Sequence, residues 1–287
     1  MSTFEPARPP GASRAPRWGR APAVLLGLLG MGMLAGAWEL NRWLTGSTLL
    51  PDTLEVGRAL VALVADGKLA NHLVASLYRL SWGYLVAVLV GVPFGMLMGW
   101  LPRLQRAMDP LLQVLRPIGS LAWTPLAILW FGVDDVAASF LIAVACFGPL
   151  TVSGLNAVRR LPPVYLRAGR NFGLTGSRLV RHILLPAAAP HLVSGMRQAL
   201  YVGWVVVVMA EMLGVSSGLG FLLVDARNAG DRYDVVMAAI VTISLVGLAL
   251  DRLMARLARG VAYGKGGDSD TDTGMLPARL GVSRRAA

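Results

Sequence analysis

The stretch LSWGYLVAVLVGVPFGMLMGWLP, residues 80–102, contains no charged side chain and lies between Arg79 and Arg103. A helix needs roughly 20 apolar residues to cross the hydrocarbon core of a bilayer, so this run is long enough to span a membrane. Similar runs recur, and we predict six spans at residues 21–42, 78–101, 113–133, 136–158, 191–214 and 235–257. Pro125 is expected to kink the third span, and Arg197 to lie near one end of the fifth. The pattern predicts an all-α integral membrane protein.

The composition of the 287-residue chain supports this class and excludes others. Hydrophobic residues make up 55% of the chain and charged residues 15%, whereas soluble domains carry about 25% charged residues. An intrinsically disordered chain has low hydrophobicity and high charge, and a disulfide scaffold needs more than the single Cys146. The net charge of +11 is typical of nucleic-acid-binding proteins. Here the arginines cluster in short connectors between apolar runs, so we expect no nucleic-acid partner.

The connectors also predict the orientation of the chain in the membrane. Lys and Arg are enriched in cytoplasmic loops. One set of alternate connectors carries Arg103 and Arg106, then six arginines within residues 159–181. The opposite set carries Arg58, Lys68, Arg227 and Arg232. We therefore expect both termini to be cytoplasmic, with loose tails at residues 1–20 and 263–287 flanking a transmembrane domain at 21–262.

The segment Pro51–Asn71 is less apolar than the spans and has helical periodicity through Leu54, Leu60, Val61 and Val64. This pattern predicts an amphipathic helix on the outer face. Such a helix packs on the bundle or lies at the membrane interface.

The connector between the fourth and fifth spans, residues 159–190, is much longer than the other loops. It reads RRLPPVYLRAGRNFGLTGSRLVRHILLPAAAP. Pro162 and Pro163 suit the start of a helix, and Gly173 is expected to break it. Thr175 or Ser177 would cap a second helix that ends before Pro186. Two short basic helices with a glycine hinge are compatible with a docking element for a partner and equally with a surface resting on anionic lipid.

The same connector resembles the Glu-Ala-Ala loop of ABC importer permeases. The family pattern is EAA, three residues, Gly, nine residues and Ile-x-Leu-Pro, and Gly173, Ile183, Leu185 and Pro186 stand at the matching positions. The chain departs from the pattern where Arg167 replaces Glu and Gly169 replaces the second Ala. The resemblance implies that a separate ATPase contacts this loop through Arg167, Ala168, Gly169, Arg170, Gly173 and Leu174.

The resemblance extends over nearly the whole chain. RPIGSLAWTPLAILWFG (Arg116–Gly132), the segment Ser194–Gly214 and SLVGLALDR (Ser244–Arg252) are similar to spans of the nitrate, sulfonate and taurine importer group. The resemblance implies a homodimeric permease that imports a small anionic solute such as an aliphatic sulfonate, taurine or nitrate. Its implied partners are an ABC ATPase dimer, which uses ATP and Mg, and a periplasmic or lipid-anchored binding protein. A bacterial inner membrane would be its location, and membrane lipid its surroundings.

Three residues inside the apolar runs are candidates for the transport pathway or its gate. An ionisable residue within a span is a functional-site candidate, and Glu211 lies near the end of one. We expect it to have a structural or gating role, or to be wetted at the outer interface. Asn156 is compatible with the pathway or with an interhelical hydrogen bond. Trp204 is compatible with lining the pathway or with packing.

No motif in the sequence indicates catalysis by the chain itself. There is no GxxxxGK[ST] loop to bind nucleotide phosphates and no metal-ligand spacing, so we expect no bound cofactor and no ATPase activity. Gly214–Gly218 fits the GxSxG elbow of serine hydrolases, which needs a strand before it and a helix after it. An intramembrane protease that uses Ser216 is therefore the alternative function.

Overall fold

The computed structural model describes residues 20–45, 51–115, 118–230 and 232–263, and all regular structure within these ranges is helical. The helices are α1 (Arg20–Thr45), α2 (Thr53–Ala65), α3 (Lys68–Trp100), α4 (Pro102–Leu115), α5 (Thr124–Phe131), α6 (Asp135–Arg159), α7 (Pro163–Asn171), α8 (Gly176–Leu179), α9 (Leu185–Gly214), α10 (Leu219–Asn228) and α11 (Tyr233–Tyr263). The tails predicted at 1–20 and 263–287 lie almost wholly outside the described residues.

Four helices in the described ranges are long and apolar enough to cross a membrane. They are α3, α6, the continuous helix Gly176–Gly214 that contains α9, and the part of α11 at Tyr233–Gly260. A fifth span results if α4 and the segment Ser120–Phe131 are counted together as one bent span. The all-helical membrane architecture is confirmed, with four to five of the predicted spans meeting these criteria.

The centre of the bundle is the packing of α3 against α6, made close by glycines on α3. A Cβ at Gly83 would lie 2.5 Å from the carbonyl oxygen of Ser139, and one at Gly95 would overlap the backbone of Thr151. Gly154 makes the reciprocal approach from α6, because a Cβ there would lie 2.6 Å from the carbonyl oxygen of Val92. Small residues let helix backbones approach closely where no hydrophobic force operates between lipid-exposed helices.

The predicted third span, residues 113–133, is not one kinked helix. The helix α4 and the segment Ser120–Phe131, which starts with a 3₁₀ turn at Ser120–Trp123, meet at an angle of 86°. The position of the break was predicted wrongly, since Pro125 lies in the first turn of α5. At that position proline has no hydrogen bond to lose, so it begins a helix and does not kink one.

The connector at 159–190 is also built differently from the prediction. The helix α7 starts at Pro163, as predicted, and Gly173 follows it with φ at +77°. The second helix was expected to end before Pro186, but it continues through a π-helical turn at Val180–Leu184 into α9. Pro186 is placed in the first turn of α9, and the π turn shifts the hydrogen-bond register just before it, so the helix is not interrupted.

The segment 51–71 contains the predicted helix, and only part of its predicted apolar face packs on the bundle. Asp52 and Glu55 form a capping box at the start of α2, and Gly67 with φ at +70° separates α2 from α3. The helix packs through Ala59, Leu63 and the partly buried Leu60, whereas Leu54, Val61 and Val64 are exposed. The apolar periodicity covers more of the helix than one neighbouring surface can bury, so much of it faces outward.

Candidate functional site

A cavity of about 910 Å³ lies between α3, α6, α9 and the bend that joins α4 to α5. Its wall near the bend is apolar and includes Leu112, Ile118 and Trp123. Phe140 and Phe147 of α6 extend the apolar wall. The cavity is therefore lined by residues from both sides of the break after α4.

Polar side chains enter the cavity from the two facing helices with the same spacing. Ser153, Asn156 and Arg160 recur at intervals of three and four residues along α6, and His191, Ser194 and Gln198 do so along α9. Residues spaced in this way share one face of a helix. The polar part of the cavity is thus a pair of stripes at the end of α6 and the start of α9, next to the connector.

The described lining of the cavity includes basic side chains and no acidic ones. Among the described residues that line the cavity there is one arginine and one histidine, and none is an aspartate or a glutamate. A cavity with one cation and several neutral donors suits a polar or anionic guest better than a cationic one.

Of the three predicted pathway residues, only Asn156 lines this cavity. Trp204 is 5% exposed, and its indole nitrogen donates a hydrogen bond to the carbonyl oxygen of Ile243 at 3.2 Å. The ring lies against Gly247 of α11, where an added Cβ would be 2.9 Å from the indole nitrogen. The structure therefore places Trp204 in the packing between α9 and α11.

Glu211 is buried in a charged cluster and is not wetted at the interface. Its carboxylate accepts hydrogen bonds from the Arg79 guanidinium at 2.8 Å, the Ser76 hydroxyl at 2.9 Å and the Gly220 amide at 2.9 Å. Arg79 and Glu211 are each 1% exposed. A buried carboxylate is stable in such a site only when its lone pairs are satisfied in this way.

Arg79 connects this cluster to two further elements. It donates to the Asp135 carboxylate at 2.8 Å and to the carbonyl and hydroxyl oxygens of Ser217 at 2.8 and 2.6 Å. The Arg79–Glu211 cluster, defined as Ser76, Arg79, Asp135, Glu211 and Ser217, therefore ties α3, α6 and α9 to the loop before α10. It lies far along these helices from the polar stripes.

Sequence reasoning treated Arg79 only as the flank of an apolar run and so missed the cluster. A usable signal was present: with six spans, residues 79 and 211 both fall at the outer end of the bundle. Ionisable residues within membrane spans usually pair with one another. Arg79 and Glu211 have opposite charges and satisfy that rule.

The GxSxG match lacks the preceding strand and the histidine partner that a serine hydrolase needs, although the helix α10 follows it. Ser216 lies in a loop between the helices α9 and α10, not on a turn that follows a strand. The Nδ1 atom of His72 accepts a hydrogen bond from the Gly218 amide at 3.1 Å. Among the described residues, no histidine is hydrogen-bonded to Ser216.

The connector residues predicted to contact an ATPase divide into two groups. Arg167, Ala168 and Arg170 are exposed on α7, together with the neighbouring Val164 and Phe172. Gly169 is among the residues that the resemblance implies as ATPase contacts, but it is buried and faces its own chain. A Cβ at Gly169 would overlap Ile183 and lie 2.6 Å from Leu179.

Gly173 and Leu174 end α7 with a specific geometry. The Leu174 amide donates to the carbonyl oxygen of Gly169 at 3.0 Å, and the Gly173 amide to that of Arg170 at 2.9 Å. This pair of bonds around a residue with positive φ is a Schellman motif. It fixes the direction in which the chain leaves α7.

Comparison with known proteins identifies a family whose model matches residues 91–263. That family is described as the binding-protein-dependent transport system inner membrane component. The taurine transport system permease protein TauC of Escherichia coli is 33% identical over 252 residues, which cover 85% of this chain and 90% of TauC. The nitrate import permease protein NrtB of Synechococcus elongatus is 28% identical over 270 residues, or 89% of this chain and 97% of NrtB.

The fold is similar to that of a solved transporter. An inward-facing form of the MetNI methionine ABC transporter contains a chain that superimposes with a TM-score of 0.59 at 21% identity, covering 65% of this chain and 93% of that one.

Proposed function

The chain belongs to the family of binding-protein-dependent transport system inner membrane components, and on that basis we propose that it imports a small anionic solute such as an aliphatic sulfonate, taurine or nitrate. Members of this family are permease subunits of ABC importers, so the chain is a multi-pass protein of the inner membrane. It is not itself the ATPase, and it works with an ATPase and a substrate-binding protein.

The charge of the cavity lining is the main observation that supports an anionic cargo. The described lining includes Arg160 and His191 and no carboxylate. Sulfonate and nitrate groups present several oxygen acceptors, and arginine, amide and hydroxyl groups are their natural donors. The names of the relatives support the same class, since taurine carries a sulfonate and nitrate is an oxyanion.

We further propose six spans with both termini in the cytoplasm and a homodimer around a shared pathway. The helix α1 (Arg20–Thr45) supplies the first span, and α4 with Ser120–Phe131 the third. The cavity is not fully enclosed by the single chain, which leaves room for a second copy to complete its wall. The arginines of residues 159–181 then face the cytoplasm, as the positive-inside rule favours.

The exposed part of α7 is proposed as the contact with the ATPase. Val164 and Phe172 are 70% and 85% exposed, and between them Arg167 and Arg170 are neighbours on one helix face. Arg167 would pair with an acidic group on the ATPase, in place of the carboxylate that the family pattern has here. ATP and Mg would bind to the partner ATPase, and rigid-body movement of this contact would switch the access of the pathway.

Reconstitution tests the proposed cargo. Proteoliposomes containing the chain, its ATPase and its binding protein should accumulate at least one of radiolabelled ethanesulfonate, taurine and nitrate when ATP is supplied. Choline, a cation of similar size to taurine, serves as the control and should not accumulate. Accumulation of choline, or of none of the three oxyanion compounds by a complex that hydrolyses ATP, would contradict the cargo class.

A further inference from the structure

We infer that Arg160, together with Asn156 on α6 and Gln198 on α9, forms a subsite that binds the oxyanion group of the cargo inside the cavity. The inference rests on the proposed function, because it assigns residues to the recognition of the anionic group. It adds Arg160 and Gln198, which neither the sequence patterns nor the family match singled out.

The position of Arg160 relative to the two polar stripes is the first argument. Arg160 ends the α6 stripe that begins with Ser153, and Gln198 ends the α9 stripe that begins with His191. The Ser153 hydroxyl bonds to the His191 carbonyl oxygen at 3.4 Å, so the two stripes are in contact at that level. A guest between the stripes would meet donors from both helices.

The second argument is that the side chains of Arg160, Asn156 and Gln198 have no partner among the described residues. Three other arginines in or beside the spans are paired: Arg79 with Glu211 at 2.8 Å, Arg197 with Asp251 at 2.7 Å, and Arg232 with Asp234 at 3.0 Å. Among the described residues no carboxylate lies within 4 Å of Arg160, and the side chains of Asn156 and Gln198 make no hydrogen bond. Arg160 is therefore the uncompensated cation of the cavity.

The chemistry of the three side chains gives the ligand class. A guanidinium group presents a planar fork of donors that matches two oxygens of a sulfonate or nitrate. The amide groups of Asn156 and Gln198 add further donors without adding charge. The apolar wall at Trp123 and Phe147 would face the non-polar part of an alkyl sulfonate.

Two thiol reagents of opposite charge measure the electrostatic effect of Arg160 in the cavity. The only cysteine of this chain, Cys146, is fully buried, so labelling of this chain in the wild-type complex serves as the blank. In the Ser194→Cys variant, the anionic sulfonatoethyl methanethiosulfonate should react faster than the cationic trimethylammonioethyl reagent, after correction for their rates with free cysteine. The expected preference is at least about fivefold, because an unpaired cation that lines the cavity raises the local concentration of an anionic reagent there.

The matched variants are Arg160→Gln and Arg159→Gln, each combined with Ser194→Cys in the complete complex. Arg159 is adjacent in sequence, carries the same charge and does not line the cavity. Loss of the preference with Arg160→Gln and its retention with Arg159→Gln are expected. An unchanged ratio in both variants would overturn the subsite, as would a Ser194→Cys variant that reacts with neither reagent.

Two further experiments complete the test. The first distinguishes lipid phosphate from the cargo as the anion that Arg160 binds, and the second separates the subsite from the proposed function. The preference should persist when phosphatidylcholine discs are replaced by discs containing phosphatidylglycerol; its loss there would show that Arg160 binds lipid phosphate and that the cargo subsite is wrong. For the transported cargo, Arg160→Gln should raise KM about tenfold or more while Arg159→Gln leaves it unchanged. The reagent ratio does not depend on transport, so a cargo other than an anion would contradict the proposed function without altering that ratio.

Discussion

Arg79 and Glu211 are 132 positions apart in the chain, yet they form a buried ion pair at 2.8 Å. Desolvating two charges is costly, and the pair is stable because Ser76, Asp135, Ser217 and the Gly220 amide satisfy the remaining groups. The Arg79–Glu211 cluster therefore fixes the relative positions of three helices and of the loop before α10.

Replacing Glu211 by Ala should destabilise the protein strongly. Arg79 would be left buried with only the partly exposed Asp135 as a counter-charge, and removing one partner of a buried pair costs about 3–5 kcal/mol. The melting temperature of the purified protein in detergent measures the loss. The control is Arg232→Ala, which breaks an exposed pair with Asp234 and should cost less than about 1 kcal/mol. Equal effects of the two changes would contradict the structural role of the cluster.

The residue-scale features differed in how far sequence could predict them. Glu211 was identifiable because an ionisable residue in an apolar run is unusual, but its partners depend on which helices adjoin. Trp204 had two open interpretations, since an aromatic ring in a span suits packing and a pathway equally well. Arg160 looked like one of many cytoplasmic arginines, and only the α4–α5 bend shows that it lines a cavity.

Among the elements, α3 and α6 depend most on glycine. A Cβ at Gly95 would overlap the carbonyl group of Thr151, and backbone atoms cannot move aside as a flexible side chain does. The close approach also explains why the two helices stay together in a lipid environment, where apolar side chains alone give little preference for neighbouring helices.

We expect Gly95→Ala to reduce stability by about 1–3 kcal/mol or more, as overpacking of a tight contact does. The matched control is Gly57→Ala in α2, where an added Cβ meets nothing within 4 Å. That substitution should be neutral or slightly stabilising, because alanine favours helix over glycine by up to about 1 kcal/mol. Thermal unfolding of both variants in the same detergent is the measurement. A Gly95→Ala protein as stable as the wild type would show that the two helices are not packed this closely.

At the scale of helices, hydropathy predicted the long apolar elements well and their interruptions poorly. The runs at 78–101, 136–158 and 235–257 correspond to α3, α6 and α11, and the largest difference in bounds is that α3 starts ten residues earlier, at Lys68. The proline rules erred twice, at Pro125 and Pro186, because both prolines occupy first turns. A proline marks a boundary, and whether a helix ends or begins there depends on neighbours distant in sequence.

At the scale of the whole molecule, the polar cavity, the Arg79–Glu211 cluster and α7 lie at separate places along one bundle. The cluster joins α3 and α6 near their starts to the end of α9, whereas the polar side chains of the cavity lie near the end of α6 and the start of α9, next to the connector that contains α7 and α8. Movement imposed on α7 would reach α9 through the continuous helix that starts at Gly176. The cavity lies beside that helix, so a shift of α7 would alter the cavity directly.

The central claim is that a separate ATPase binds residues 164–176, and the amount of ATPase that co-purifies with the chain tests it most directly. Gly173 and Gly67 have φ of +77° and +70°, and neither has a neighbour within 4 Å of an added Cβ. Replacing either by Val should impose a similar backbone strain, of about 1–3 kcal/mol. Gly173→Val should reduce the ATPase recovered per permease by at least about fivefold, because it distorts the end of α7, and Gly67→Val on the opposite face should retain it. Equal recovery with both variants would contradict the account and leave the arginines of this connector as a lipid-facing surface.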